Sequence, residues 1–159
     1  MTKSNVLSIV LAGLMDKYSQ RVPAVTTIIN QMISHNIIQN KADIINDHIA
    51  FRTMGVPHLG IQSLEKIFLH LGYTKRDYYH FPGKKLNAYW YSPPLKPTNC
   101  PRIFISELRV DELSQPIKKI IKKYTKTIKK DPIDDLNLSD GQAIDHFLHQ
   151  SLWDTPTWE

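Results

Sequence analysis

The segment Asp47-His48-Ile49-Ala50-Phe51-Arg52-Thr53 carries the residues best placed for chemistry. Its composition suits a strand, and strand side chains alternate between faces. His48, Ala50 and Arg52 therefore share one face, while Ile49 and Phe51 point the other way toward an apolar partner. An imidazole, a methyl group and a guanidinium are costly to bury unpaired, but they suit the lining of a polar cavity. At strand rise the backbones of His48 and Arg52 stand about 13 Å apart. A small dianion could meet a metal at the first and a guanidinium at the second, whose planar fork donates two parallel hydrogen bonds to a carboxylate. The same pattern also fits a hydrogen-bonded structural histidine, because one imidazole needs further ligands before it holds a metal.

Glu107 is a second candidate. It follows Ile103 and Ile105 on one strand face, so it reads as a carboxylate on a largely buried sheet. Burial would raise its pKa unless a cation or metal offset the desolvation. The other reading puts Glu107 in a loop, facing solvent or paired with Arg102 or Arg109. His146 and His149 lie three apart on a helical stretch and could share a face, but with no carboxylate partner in view they read as surface residues. Tyr78, Tyr79, Tyr89, Trp90 and Tyr91 form an aromatic cluster that reads as core and cavity wall. It has no interleaved Arg or Lys of the kind a nucleic-acid stacking platform uses. No phosphate loop, nucleophile elbow or cysteine metal motif is present.

These candidates need elements to hold them. Val6, Ile9, Val10 and Leu14 keep a helical period that Val22-Pro23 interrupts, and a second helix over 24–34 buries Val25, Ile28, Ile29 and Met32. Residues 44–53 read as a strand, 61–71 as a helix closed by Gly72, and 73–81 and 86–91 as paired strands around Pro82-Gly83-Lys84. Arg102 to Leu108, apolar on both faces, reads as a central strand. The lysine-rich stretch Lys118–Lys130 places Ile117, Ile120, Ile121, Tyr124 and Ile128 on one helical stripe, with its lysines on a solvated face. A last helix runs near 142–150. The order is an α+β one, with a helical segment over 1–40, a β-α-β-β-β module over 41–110 and a helical segment over 111–159.

Composition narrows the class. The chain has 159 residues, 42% hydrophobic and 22% charged, which is globular and large enough for a core. No apolar run reaches the roughly 20 residues that span a bilayer. The apolar start continues in helical register past Asp16 and Lys17, so it reads as a first helix rather than a signal peptide. One cysteine, Cys100, cannot form an internal disulfide, and the expected location is a reducing, cytoplasmic one. The formal charge of +5 concentrates in the lysine-rich helix, so neither nucleic acid nor a membrane is an expected partner.

Asn46-Asp47-His48-Ile49-Ala50-Phe51-Arg52-Thr53, the Gly72-Tyr73 helix end, Leu86-Asn87-Ala88-Tyr89-Trp90-Tyr91-Ser92-Pro93-Pro94 and Pro101-Arg102-Ile103-Phe104-Ile105-Ser106-Glu107-Leu108 together resemble the 2-oxoadipate dioxygenase/decarboxylase family. The resemblance runs from the first helix to Trp158. It implies a vicinal-oxygen-chelate-like half-sheet with flanking helices, in an iron(II) enzyme that turns 2-oxoadipate and dioxygen into D-2-hydroxyglutarate and carbon dioxide in lysine breakdown. On the matching positions His48 would be one ligand of a two-histidine, one-carboxylate face on Fe(II). Arg52 would serve catalysis by holding a substrate carboxylate, and His48 and Arg52 would together make the substrate-binding pair. The resemblance places the other two ligands in a second module beyond this chain. It thus implies an amino-terminal fragment, inactive alone, that awaits a missing second half or forms a homodimer. The alternative is a non-catalytic carboxylate-binding or self-pairing half-module.

Overall fold

A computed structural model describes residues 2–97 and 99–157. The expected match at Trp158 lies outside the described residues. The elements run α1 (Lys3–Arg21), α2 (Pro23–Ser34), β1 (His48–Met54), α3 (Ile61–His70), β2 (Thr74–Phe81), β3 (Leu86–Ser92), β4 (Arg102–Leu108), α4 (Gln115–Thr125) and α5 (Gly141–His149). The strands form one sheet in the order β1-β4-β3-β2. β1 and β4 are parallel, whereas β3 is antiparallel to both β4 and β2.

Local chemistry sets most of these bounds. Val22 caps the end of α1, and Pro23 opens α2 at a position whose N–H no helix needs. At the end of α3 the Tyr73 N–H reaches the Phe68 carbonyl and the Gly72 N–H reaches Leu69. Gly72 takes φ +96° there, a left-handed conformation that glycine adopts without a Cβ penalty. Asp140 caps α5 through the Gln142 and Ala143 amides.

The core lies on one side of the sheet. Ile67 and Phe68 of α3 meet Tyr91, Ile103 and Ile105, and Val6, Leu7 and Val10 of α1 join Ile144 and Phe147 of α5 to complete the cluster. As expected, Phe51 points to this side, its ring 5.2 Å from that of Phe68. Tyr91 is fully buried and donates to Glu65 at 2.6 Å. Burial, and then that carboxylate, push its phenol far above the usual range.

Three expectations need correction. Residues 44–47 are not strand: Asn40 and Asp43 form a reciprocal cap on a short turn over 41–43, and β1 begins only at His48, opposite Arg102 of β4. α4 stops at Thr125, short of Lys130, and buries no residue; Ile117 and Ile120 of its stripe are exposed. Of the α2 stripe only Ile29 is buried, and Ile28 faces solvent.

Candidate functional site

The side of the sheet away from the helices holds the candidate chemistry. Register places His48 beside Arg102, Ala50 beside Phe104 and Arg52 beside Ser106. Across β4, Trp90 lies opposite Phe104 and Ala88 opposite Ser106. His48, Ala50 and Arg52 are all exposed, as period-two alternation requires once Ile49 and Phe51 face the core. Between the larger groups, Ala88 and Ser106 form a buried floor.

His48 is held by its neighbour. Its Nδ1 lies 2.9 Å from Asp47 Oδ2, while Asp47 Oδ1 lies 3.5 Å from Arg102 Nη1. The hydrogen bond from His48, and then the charge of Arg102, hold the Asp47 carboxyl below its ordinary range. On the far side of this group Trp90 Nε1 donates to Asp77 at 2.9 Å. Asp47, His48, Asp77, Tyr79, Trp90 and Arg102 together line a depression of about 400 Å³. Its contents suit a polar ligand: one imidazole, one guanidinium, two carboxylates and an aromatic wall.

Arg52 shares the face but not this depression. It lines a second one, of about 250 Å³, with Thr53, Gly60, Leu64 and Trp153. Among the described residues no carboxylate pairs with its guanidinium.

Glu107 stands on the other side of the sheet. It alternates with Ile103 and Ile105, and its Oε2 accepts the Ile61 N–H at 2.9 Å. That N–H opens α3, whose cap residue Gly60 has no side chain to satisfy it. Glu107 therefore caps a helix behind the sheet and does not approach His48. Neither solvent nor an arginine takes it.

His146 is exposed, but His149 is not the surface residue its spacing suggested. Its Nε2 lies 3.2 Å from Asp145 Oδ1, and both side chains are largely buried. Asp145 presses against α1 at Gly13, where a Cβ would stand 2.0 Å from its Oδ1. The signal was legible: Asp145 precedes His149 by one helical turn. Lys17, Arg21 and His149 also border a hollow of about 440 Å³ between α1 and the free edge of β1.

A metal can be matched against these donors. His48 offers one imidazole nitrogen, with Nδ1 engaged by a carboxylate as in many metal-binding histidines. No group of three His, Cys, Asp or Glu converges among the described residues. His48 thus fits one corner of a metal site, and no further ligand set converges on it among the described residues.

The fold is of the class found in glyoxalase-type proteins. A protein assigned to the glyoxalase superfamily from Ralstonia eutropha JMP134 superposes with a TM-score of 0.66 at 18% identity, over 91% of this chain and 43% of that one. The family model for 2-oxoadipate dioxygenase/decarboxylase matches residues 10–159, and the chain belongs to that family. A relative from Oryza sativa subsp. japonica, "2-oxoadipate dioxygenase/decarboxylase, chloroplastic/amyloplastic", is 42% identical over 132 residues, covering 76% of this chain and 34% of the relative. The crystal structure of the hydroxyglutarate synthase from Oryza sativa in complex with 2-oxoadipate superposes with a TM-score of 0.78 at 34% identity, over 98% of this chain and 49% of that one. The chain thus spans about a third of the curated relative and about half of the solved one.

The expected α+β half-sheet and the expected family are therefore borne out. The expected cytoplasmic location gains no support, since the curated relatives are named chloroplastic. No helix among the described residues is long and apolar enough to cross a membrane.

Proposed function

We propose that this chain contributes the His48 and Arg52 portion of an iron(II)-dependent enzyme that converts 2-oxoadipate, with dioxygen uptake and carbon dioxide release, to D-2-hydroxyglutarate in lysine breakdown. The observation that carries this is the open sheet face itself. On it, His48 stands with Nδ1 held by Asp47, and Arg52 stands on the same strand with no carboxylate partner among the described residues, in a member of the 2-oxoadipate dioxygenase/decarboxylase family. When bound, iron(II) supplies the Lewis acidity and redox chemistry such a reaction needs.

The residues divide the remaining work. His48 offers Nε2 as one ligand and brings the 2-oxo acid end of the substrate to its own end of β1. Arg52 holds a carboxylate through its fork, fixing the substrate chain relative to that end. Tyr79 and Trp90 offer an aromatic wall beside His48 for the substrate chain. The other ligands come from outside this region, supplied by further sequence or by a second copy.

A second reading rests on the donor count: one imidazole among the described residues favours a carboxylate-binding or self-pairing half-module without catalysis. Anaerobic titration of iron(II) into the purified chain, followed by oxygen uptake with 2-oxoadipate, separates the two. Stoichiometric metal binding with uptake that disappears in His48→Ala supports the enzyme. Saturable 2-oxoadipate binding that needs Arg52, with neither metal retention nor uptake, supports the half-module.

A further inference from the structure

We infer that Asp47 is a positioning residue for His48, fixing the imidazole with its proton on Nδ1 and its Nε2 lone pair free for a metal. The inference deepens the proposed function and rests on His48 being a ligand there.

Asp47 is placed by backbone and side chain together. It immediately precedes β1, and its carbonyl accepts the Arg102 N–H at 3.0 Å, so the residue is tied to the start of β4. The parallel register then sets Arg102 directly across from His48. The Asp47 carboxylate spans the two: Oδ2 faces His48 Nδ1 at 2.9 Å, and Oδ1 faces the Arg102 guanidinium at 3.5 Å.

An ionised carboxylate can only accept, so a neutral His48 must donate from Nδ1. That leaves Nε2 as the ring's acceptor. An imidazole free in water prefers the opposite tautomer, with the proton on Nε2, and would have to exchange it before binding a cation through Nε2. Asp47 removes that step. Arg102, 3.5 Å from the carboxylate's second oxygen, offsets its charge and draws that oxygen away from the ring. Ligating histidines commonly have their second nitrogen bound in this way, and losing the partner typically costs about 10–100-fold in metal affinity.

The test uses the whole 159-residue chain with 15N-labelled histidine. Long-range 1H–15N spectra at about two pH units above the ordinary histidine pKa of roughly 6.5 read the neutral ring. The wild-type His48 is expected to carry its proton on Nδ1, and Asp47→Ala to move it to Nε2. A wild-type ring protonated on Nε2 overturns the inference, whether or not the variant folds. Cobalt(II), added as the metal alone, then reports affinity through broadening of the His48 ring signals. The expected loss in Asp47→Ala is roughly tenfold. Equal broadening in both proteins overturns the positioning role. A His48 ring that cobalt leaves untouched in both overturns the ligand reading beneath it, and the inference falls with it. A Nδ1-protonated ring in that last case shows that the ligand reading, and not the Asp47 contact, is what failed.

Discussion

Ile103 and Ile105 on β4 are fully buried against α3, and their neighbours across the sheet, Phe51, Tyr89 and Tyr91, face the same helical layer. One residue out of step along β1, His48, Ala50 and Arg52 are exposed. The two faces share one backbone and one set of ladder hydrogen bonds, yet they do different work. The helical face supplies apolar burial, and the open face spends exposed surface on an imidazole and guanidinium groups. Because β1 alternates, its core contacts and its exposed polar groups fall on different residues. Stability and chemistry are therefore separable here, residue by residue.

The sharpest way to break that separation is in the helical layer. Phe68→Ala removes a fully buried ring that contacts Phe51 and Tyr73, and it is expected to cost about 3–5 kcal/mol in urea unfolding. An effect below about 1 kcal/mol would mean that this face is not the core. Behind the sheet, Gly60 takes φ +89°, and a Cβ there would stand 2.7 Å from Glu107 Oε2. Gly60→Ala should cost about 1–3 kcal/mol through backbone strain and displacement of the carboxylate cap. Glu107→Ala should cost about 1 kcal/mol by the same unfolding assay, with metal affinity unchanged. Loss of metal binding in that variant would return Glu107 to the site.

Asp131 sharpens the comparison from outside the sheet. It accepts from Ser63 Oγ at 2.7 Å and pairs with Lys66, tying α3 to the segment before α5. Burial pushes its carboxyl up, but hydrogen bonds from Lys66, the Ile133 N–H and Ser63 leave it below its ordinary value of 3.8. A depressed folded pKa adds stability that is present above 3.8 and is lost as pH falls through that value toward the lower folded one. Asp131→Asn should lose about 1 kcal/mol at neutral pH, and the difference from wild type should shrink below about pH 4. A difference that is constant with pH would remove the ion pair from the account.

The smallest effects belong to the open face. His48→Ala and Arg52→Ala should each change unfolding by less than about 0.5 kcal/mol, because neither residue packs into the core. Under the proposed function the same two variants should lose metal contact and carboxylate affinity respectively, as read by titration. A large destabilisation from either would make that residue structural.

Much of this was legible because the signals are local. β4 has the bounds its apolar run suggested, Gly72 closes α3 in a left-handed turn, and alternation alone assigned His48 and Arg52 to one face. The misreadings have equally local causes. Ile44-Ile45 is apolar enough for a strand, but the Asn40–Asp43 cap takes the backbone first. The stripe of α4 has the right period, yet period does not reveal whether a partner covers it. Asp47 was missed as the partner of His48 although it lies next to it in the chain. Arg102 went unread beside them for a different reason: its approach depends on the parallel register of two strands separated by a helix and a hairpin, which no local pattern encodes. His149 was missed although Asp145 lay one turn before it.

The same parallel pairing governs how the chain comes to fold. β2 and β3 are joined by a short turn and can pair as soon as both exist, but β1 has no partner until β4 arrives about fifty residues later. At ordinary rates of synthesis that interval is on the order of several seconds. Throughout it Ile49 and Phe51 have neither a ladder nor a finished core to enter. The pairing of the strand that carries His48 thus waits on the longest loop closure between strands in this sheet.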